Sequence, residues 1–346
     1  MLGRRSGSGR AAGALVVAVL VVLLAAVVAA RTGRTARTEN GRPRPEPGGR
    51  SLRVDRASAV QSAIDARCRS GGVVQLSGTY VTPGTVVIEG CRNLTVRGPA
   101  VLDGSAPGRL RTDRHVAIRA SSDVVVEDLT VVGGRCGDPP CPGDDDPAFN
   151  ERQHGFEIAA SDRVELRRVR VLDVWGDAVY VTAKTFSAGG ADRTPHQIAV
   201  RDSYVDNTGR QGVSASGVDG MVVERTVLRR VGLAALDFEA ESGGAAAVTV
   251  RDNTVLFPRN GTLHVSCDSG PGGAPLNRGP FVLAANRVQG GPLQVNPFGC
   301  ALPPGLVVLE GNVEDLPADP AKSTEPAGRA TPTTDPAGPG GYGGGP

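Results

Sequence analysis

A four-residue phrase, apolar-x-apolar-x, returns along this chain often enough to leave it very few possible folds. It reads Val116-Ala117-Ile118-Arg119, Phe156-Glu157-Ile158-Ala159, Val179-Tyr180-Val181-Thr182 and Val213-Ser214-Ala215-Ser216. It continues as Leu236-Asp237-Phe238-Glu239, Leu263-His264-Val265-Ser266 and Leu293-Gln294-Val295-Asn296. Each copy is followed by a second alternating segment, at 124–126, 164–166, 198–200, 221–223, 248–250, 281–283 and 306–309. A third short strand follows most of these, at 169–171, 204–205, 227–228 and 255–256. A period of two is the signature of a strand with one buried face. Three short strands with turns between them and no helix cannot bury that face alone. Each repeat is therefore one coil of a solenoid, covered by the coils above and below.

The coil-to-coil steps Ile158 to Val181 and Ala215 to Phe238 are both 23 residues. Longer steps, such as Ile118 to Ile158, require loops that leave the coil and return. The expected fold class is all-β: a right-handed parallel β-helix solenoid with a short N-terminal capping helix, preceded by an N-terminal hydrophobic helix. The composition of 48 Gly, 26 Pro and 3% aromatics in 346 residues fits stacked short side chains and frequent turns. A net charge of +2 gives no reason to expect nucleic acid as a partner, and a monomer is expected.

Four segments follow. Residues 1–30 carry Arg4, Arg5 and Arg10 ahead of twenty uncharged residues, 11–30. That length suits either a membrane anchor or a signal peptide, with Val28-Ala29-Ala30 as a small-residue cleavage site, and both readings stay open. Residues 31–51 are a Pro/Gly/Arg linker, 52–315 the β-helix domain, and 316–346 a Pro/Gly-rich tail expected to be disordered. The protein is expected outside the cell, secreted or tethered to the membrane. Six cysteines suit that compartment: Cys68 with Cys91, Cys136 with Cys141, and Cys267 with Cys300 are the disulfide candidates. At the domain's start Val60 and Ile64 share a helical face, Asp55 is a candidate cap, and Gly71-Gly72 ends the run. Asn253, Asn286 and Asn312 recur at one place in successive coils, which predicts an amide ladder along the axis.

From Ala59-Val60-Gln61 through Tyr80 the chain resembles the opening of right-handed β-helix proteins of the pectate-lyase-like (pectin lyase fold) superfamily, and the resemblance extends over 52–315. Gly176-Asp177-Ala178-Val179-Tyr180-Val181, Arg210-Gln211-Gly212-Val213-Ser214 and Leu236-Asp237-Phe238-Glu239 are similar to a pattern of bacterial members. That pattern reads Gly-Asp-Gly-Ile-Tyr-Leu, Arg-Gln-Gly-Ile-Ser-Ile and Gly-Ile-Asp-Ile-Glu-Pro. Ala178, Ala235 and Ala240 depart from it, standing where it has Gly, Gly and Pro. The resemblance implies a site on these strands without naming its chemistry. The Gly-His-Gly and Arg-Ile-Lys motifs of polygalacturonases and the Asp-Pro-His motif of alginate epimerases are absent.

Alternation also sets which residues point away from the core. The second position of each phrase gives Ala117, Glu157, Tyr180, Ser214, Asp237, His264 and Gln294. The fourth gives Arg119, Ala159, Thr182, Ser216, Glu239, Ser266 and Asn296. These side chains are expected to face solvent and to hydrogen-bond sugar hydroxyls, with coils about 4.8 Å apart matching a polysaccharide laid along the axis. Asp237 and Glu239, about 6.6 Å apart between Cα atoms, suit inverting glycoside hydrolysis. Repulsion between the two is expected to raise one pKa. Asp177 is a third catalytic candidate. Glu157, Tyr180, Arg210, Gln211, Ser214, His264 and Gln294 are candidate substrate contacts. A polysaccharide hydrolase is the leading expectation; a non-catalytic glycan-binding or cell-envelope module and a polysaccharide lyase or epimerase are the alternatives. A lyase ranks lower because Lys184, Arg119 and Arg210 are the only basic groups placed for it. Trp175 reads as a loop anchor or a sugar platform, and His154 as a groove residue or a turn histidine. No metal or other cofactor is expected at the site; Ca²⁺ at Asp144-Asp145-Asp146 is the weaker reading.

Overall fold

The structure, a computed structural model, describes residues 52–54, 59–82, 84–105, 114–137, 139, 141, 153–184, 192–240, 243–266, 276–298 and 301–315. The expected N-terminal hydrophobic segment and linker, Asp55, the Asp144–Asp146 run, Cys267, Cys300 and the tail lie outside them. No helix among the described residues is long and apolar enough to cross a membrane.

Every strand pairing is parallel. Among the described residues one sheet has eight strands in sequence order: Val86–Glu89, Val116–Arg119, Phe156–Ala159, Val179–Thr182, Val213–Ala215, Leu236–Phe238, Leu263–Ser266 and Val295–Phe298. The remaining strands pair in the same coil order, Asp162–Arg167 with His196–Arg201, then Gly217–Glu224, then Gly244–Arg251, then Gly279–Ala284. Each coil thus contributes one strand to the first sheet and two to the other. The fold is a parallel β-helix.

Its interior is a column of stacked apolar side chains. Phe156, Ile158, Val179, Val181, Val213, Leu236, Phe238, Leu263 and Val265 are all buried in one continuous core. The helix Ala59–Cys68 lays Val60, Ala63 and Ile64 over the first coil and supplies the expected cap. Cys68–Cys91 ties that helix to the first coil, and Cys136–Cys141 closes the expected small loop. Asn207 Nδ2 and Arg230 pin this loop through Cys136 O (2.6 Å) and Gly137 O (2.8 Å).

The turns repeat as regularly as the strands. Asp128, Arg168, Asp202, Arg225, Asp252 and Ala285 occupy one corner of successive coils, and all have φ between 49° and 59°. The corner needs a left-handed residue in every coil, and the Asp side chains among them suit that conformation. The next residue in each coil then accepts from the coil before: Ser203 N donates to Thr226 Oγ1 (3.4 Å), and Thr226 N to Asn253 Oδ1 (2.9 Å). Asn253 Nδ2 donates to Asn286 Oδ1 and Asn286 Nδ2 to Asn312 Oδ1, both at 2.9 Å. The expected Asn ladder is present, and Ser203 and Thr226 extend it.

Two readings of the first sheet need correction. Leu263 pairs with Val295 and His264 with Asn296, so the last strand starts two residues later than its pattern suggests. The bend at Pro292, whose carbonyl accepts from Gln294 N at 2.8 Å, takes up Leu293 and Gln294. Gln294 therefore precedes the strand, exposed, and Asn296 holds the place beside His264. The second correction concerns exposure. Residues that point away from the core are not thereby in solvent: Glu157, Thr182, Ser214, Ser216 and Asp237 are all buried. Neighbouring coils 4.8 Å away cover a short side chain on both flanks.

Candidate functional site

The register brings three columns together. Glu157, Tyr180, Ser214, Asp237 and His264 form one, each paired with the next coil's residue. Thr182, Ser216 and Glu239 run beside it; Glu239 N donates to Ala215 O (2.9 Å) just past its strand. A third column lies two residues ahead of each strand and contains Arg114, His154, Asp177 and Gln211. Its backbone follows the same ladder, since Gly155 N donates to Asp177 O and Ala178 N to Gln211 O. Gly176 is required here: a Cβ on it would lie 2.9 Å from both Gln153 O and His154 Nδ1. The departures Ala178 and Ala235 do not have positive φ, so the pattern's glycines are not needed at those two places.

Asp177 sits at the centre. Its Oδ1 accepts from Gln211 N (3.0 Å), and its Oδ2 accepts from Ser214 Oγ (2.7 Å). Gln211 then reaches the next coil, where Nε2 donates to Asp237 Oδ2 at 2.7 Å. One residue thus holds both carboxyls, through its backbone and its side chain. Arg210 Nε lies 3.8 Å from Asp177 Oδ1, and its Nη2 lies 3.8 Å from Glu239 Oε1. The three acids are therefore gathered around Arg210 and Gln211.

These neighbours separate the acids. Asp237 is 6% exposed; burial pushes its carboxyl up to about 6, and the charge of Asp177 adds to this. His264, Gln211 and Arg210 pull the other way without offsetting it. The repulsive partner is thus Asp177, two coils back, rather than the expected Glu239. Glu239 is 27% exposed at the side chain, beside Arg210. One acid is shielded from water and the other is open to it.

His154, which the strand pattern does not assign to the site, belongs to it. Its ring is buried and stacks on Tyr180 at 4.7 Å between centroids, and its Nδ1 accepts from Asp177 N (3.2 Å). Burial holds the imidazole below its ordinary value, against the pull of Asp177. Tyr180 OH and Ser216 Oγ are 2.9 Å apart, and Ser216 Oγ donates to Thr182 Oγ1 at 3.0 Å. Burial pushes the Tyr180 phenol above its ordinary value. His264 Nε2 donates to Asn260 O at 2.9 Å, fixing the ring beside Asp237.

Two candidates stand apart from the centre. Glu157 is fully buried and paired with Arg114 and with Arg119, whose Nη2 lies 2.9 Å from Oε1. It is a buried ion pair in the coil before Tyr180. Gln294 lies on the exposed bend. Trp175 is buried, and its carbonyl lies 2.1 Å from where a Cβ on Gly209 would stand, which fits the anchor and not the platform.

No protein-family model matches this sequence, and no curated protein is similar to it. Solved structures are similar. An alginate lyase from Paenibacillus is 15% identical, with a TM-score of 0.48, over 78% of this chain and 98% of that one. Pectate lyase II from Xanthomonas campestris is 11% identical, with a TM-score of 0.46, over 79% and 82%. The A-module of a mannuronan C-5 epimerase from Azotobacter vinelandii is 14% identical, with a TM-score of 0.38, over 76% and 96%. At such identities and TM-scores these likenesses carry no chemistry to this chain, whose reaction has to be argued from its own residues.

Proposed function

We propose that this protein is an extracellular carbohydrate-active enzyme that hydrolyses a polysaccharide, with Asp237 as general acid and Glu239 as general base. The observation that carries the reading is the split environment of the two acids: Asp237 buried against Asp177 and held up to about 6, Glu239 two residues on and open to water. A general acid must hold its proton near the working pH, and a base must reach water. Gln211 Nε2 occupies Asp237 Oδ2, which leaves Oδ1 to carry the proton toward a leaving glycosidic oxygen. Glu239, about 6.6 Å along the strand by Cα spacing, is placed for the separation that lets a water attack from the opposite face. Asp177 acts through Asp237 and Ser214 as a positioning residue.

The disulfides Cys68–Cys91 and Cys136–Cys141 support an oxidising, extracytoplasmic setting. A lyase built on the same groove needs a base to take a ring proton. Tyr180, the aromatic hydroxyl in reach, has its pKa raised, which weakens it in that role. The test is a reducing-end assay across a glycan panel with the full chain, the Asp237→Asn variant and the Glu239→Gln variant. Turnover lost in both variants supports the assignment. A product carrying a new double bond identifies a lyase, and affinity without product identifies a binding module.

A further inference from the structure

The polar groups around Asp237 are rich in acceptors, and one of those acceptors has no partner. Gln211 is 3% exposed; Nε2 is used on Asp237, while Oε1 is buried without a hydrogen-bond partner among the described residues. Buried amide oxygens seldom stay that way, so one beside a reacting acid points to a ligand that donates to it. Its surroundings agree. Ser214 gives its proton to Asp177, so its oxygen has only acceptor capacity left. His264 Nε2 is used on the Asn260 carbonyl. Asp177, Asp237 and Glu239 add carboxyl oxygens. Arg114 and Arg119 are turned to Glu157, and Arg210 lies between Asp177 and Glu239.

We propose that Gln211 Oε1 accepts a hydroxyl hydrogen from the sugar at the reacting subsite, and that the site selects a neutral, hydroxyl-rich unit over a uronate. A sugar hydroxyl donates and accepts, so it meets this set of groups. A uronate carboxylate only accepts; it would face Asp177 and Glu239 as a like charge and leave Oε1 unpartnered. The inference rests on the reading of the groove as a glycan site, and it deepens that reading by naming the substrate class.

The experiment is calorimetric titration of the full chain with two panels of oligosaccharides. One holds neutral gluco-, xylo- and manno-oligosaccharides, the other oligogalacturonates, oligomannuronates and oligoguluronates, and product is assayed in parallel. The expected result is binding within the neutral panel at least tenfold tighter than any oligouronate. A deoxy analogue lacking the donating hydroxyl should lose about tenfold in affinity on the wild type and almost nothing on Gln211→Leu, a difference that a merely structural role for Gln211 would not produce. The deoxy comparison on the wild type needs no variant, so it decides even where Gln211→Leu does not fold. Tight binding or cleavage of an oligouronate overturns the inference and leaves the hydrolase reading standing. Neutral-sugar binding without product overturns the hydrolase reading and leaves the selectivity standing. Binding in neither panel overturns both.

Discussion

Glu224 and Asp237 are both buried carboxylates pointing outward from a strand of the same solenoid, and their surroundings drive them in opposite directions. Glu224 stands on the second sheet in a ladder where register alternates charge, Arg201 on one side and Arg251 on the other. Burial works to raise it, but Arg201, Arg225 and Arg251 outweigh burial and hold it below the usual carboxylate range. Glu127, with Arg97, Arg167 and Arg168, repeats the arrangement three coils earlier. Asp237 is raised first by burial and then by the charge of Asp177, and it has a poorer set of counter-charges, because Arg210 is drawn toward Asp177 and Glu239. A solenoid stacks like positions at a fixed spacing. What stands on the neighbouring coils therefore decides whether a buried acid becomes a strut or a proton donor.

The contrast can be broken in several ways. The largest effect is on turnover: Asp237→Asn should lower it about 10²- to 10⁴-fold in the reducing-end assay, while Glu224→Gln should leave it unchanged. Stability should then move in opposite senses for these two near-isosteric losses of charge. Asp237→Asn should raise unfolding free energy at pH 8, by up to about 3 kcal/mol, the cost of holding an ionised Asp237 in its raised environment. Glu224→Gln should lower it by about 1–2 kcal/mol, because its Arg partners are half in solvent and their pairing is screened. Chemical denaturation at that pH measures both, and a common sign would remove the distinction.

The pH profiles sharpen the same point. Asp237 is raised from 3.8 to about 6, so the native state binds its proton more tightly than the unfolded chain does. The stability it contributes is complete below about pH 4 and is lost as pH climbs through about 6. Activity that needs the protonated acid should fall over the same upper limb. Glu127 and Glu224 are lowered, so their contribution is present above 4.5 and lost as pH drops through their folded values. Removing Asp237 should flatten the slope between pH 4 and 6, and removing Glu224 should flatten the acid limb. Smallest of all is Arg225→Ala. Arg225 pairs with Asp202 (2.6 Å) and with Glu224 (2.9 Å), but Arg201 and Arg251 remain to hold Glu224, so its loss should cost less than Glu224→Gln does, and less still in high salt.

How much of this was legible in the sequence differs along the chain. The strand columns from Val116 to Val265 were readable because period two and coil stacking leave one register that buries every apolar side chain. The last strand was misplaced because Leu293 and Val295 both fit the pattern, and only the Pro292 bend discriminates between them. His154 stayed open between a groove residue and a turn histidine because it lies ahead of a strand, where alternation assigns no face. Reading the position two residues before each strand would have placed Arg114, His154, Asp177 and Gln211 in one column.

The sequence by itself determined a coiled β architecture, its Asn ladder and the adjacent acids Asp237 and Glu239, since local period and fixed spacing are enough for that. Only the tertiary structure decided which acid is buried, that Asp177 rather than Glu239 acts on Asp237, and that Gln211 bridges the two. Burial and charge coupling depend on distances between coils and on which side chains the neighbouring coils bring alongside, and those quantities are not written in any one repeat.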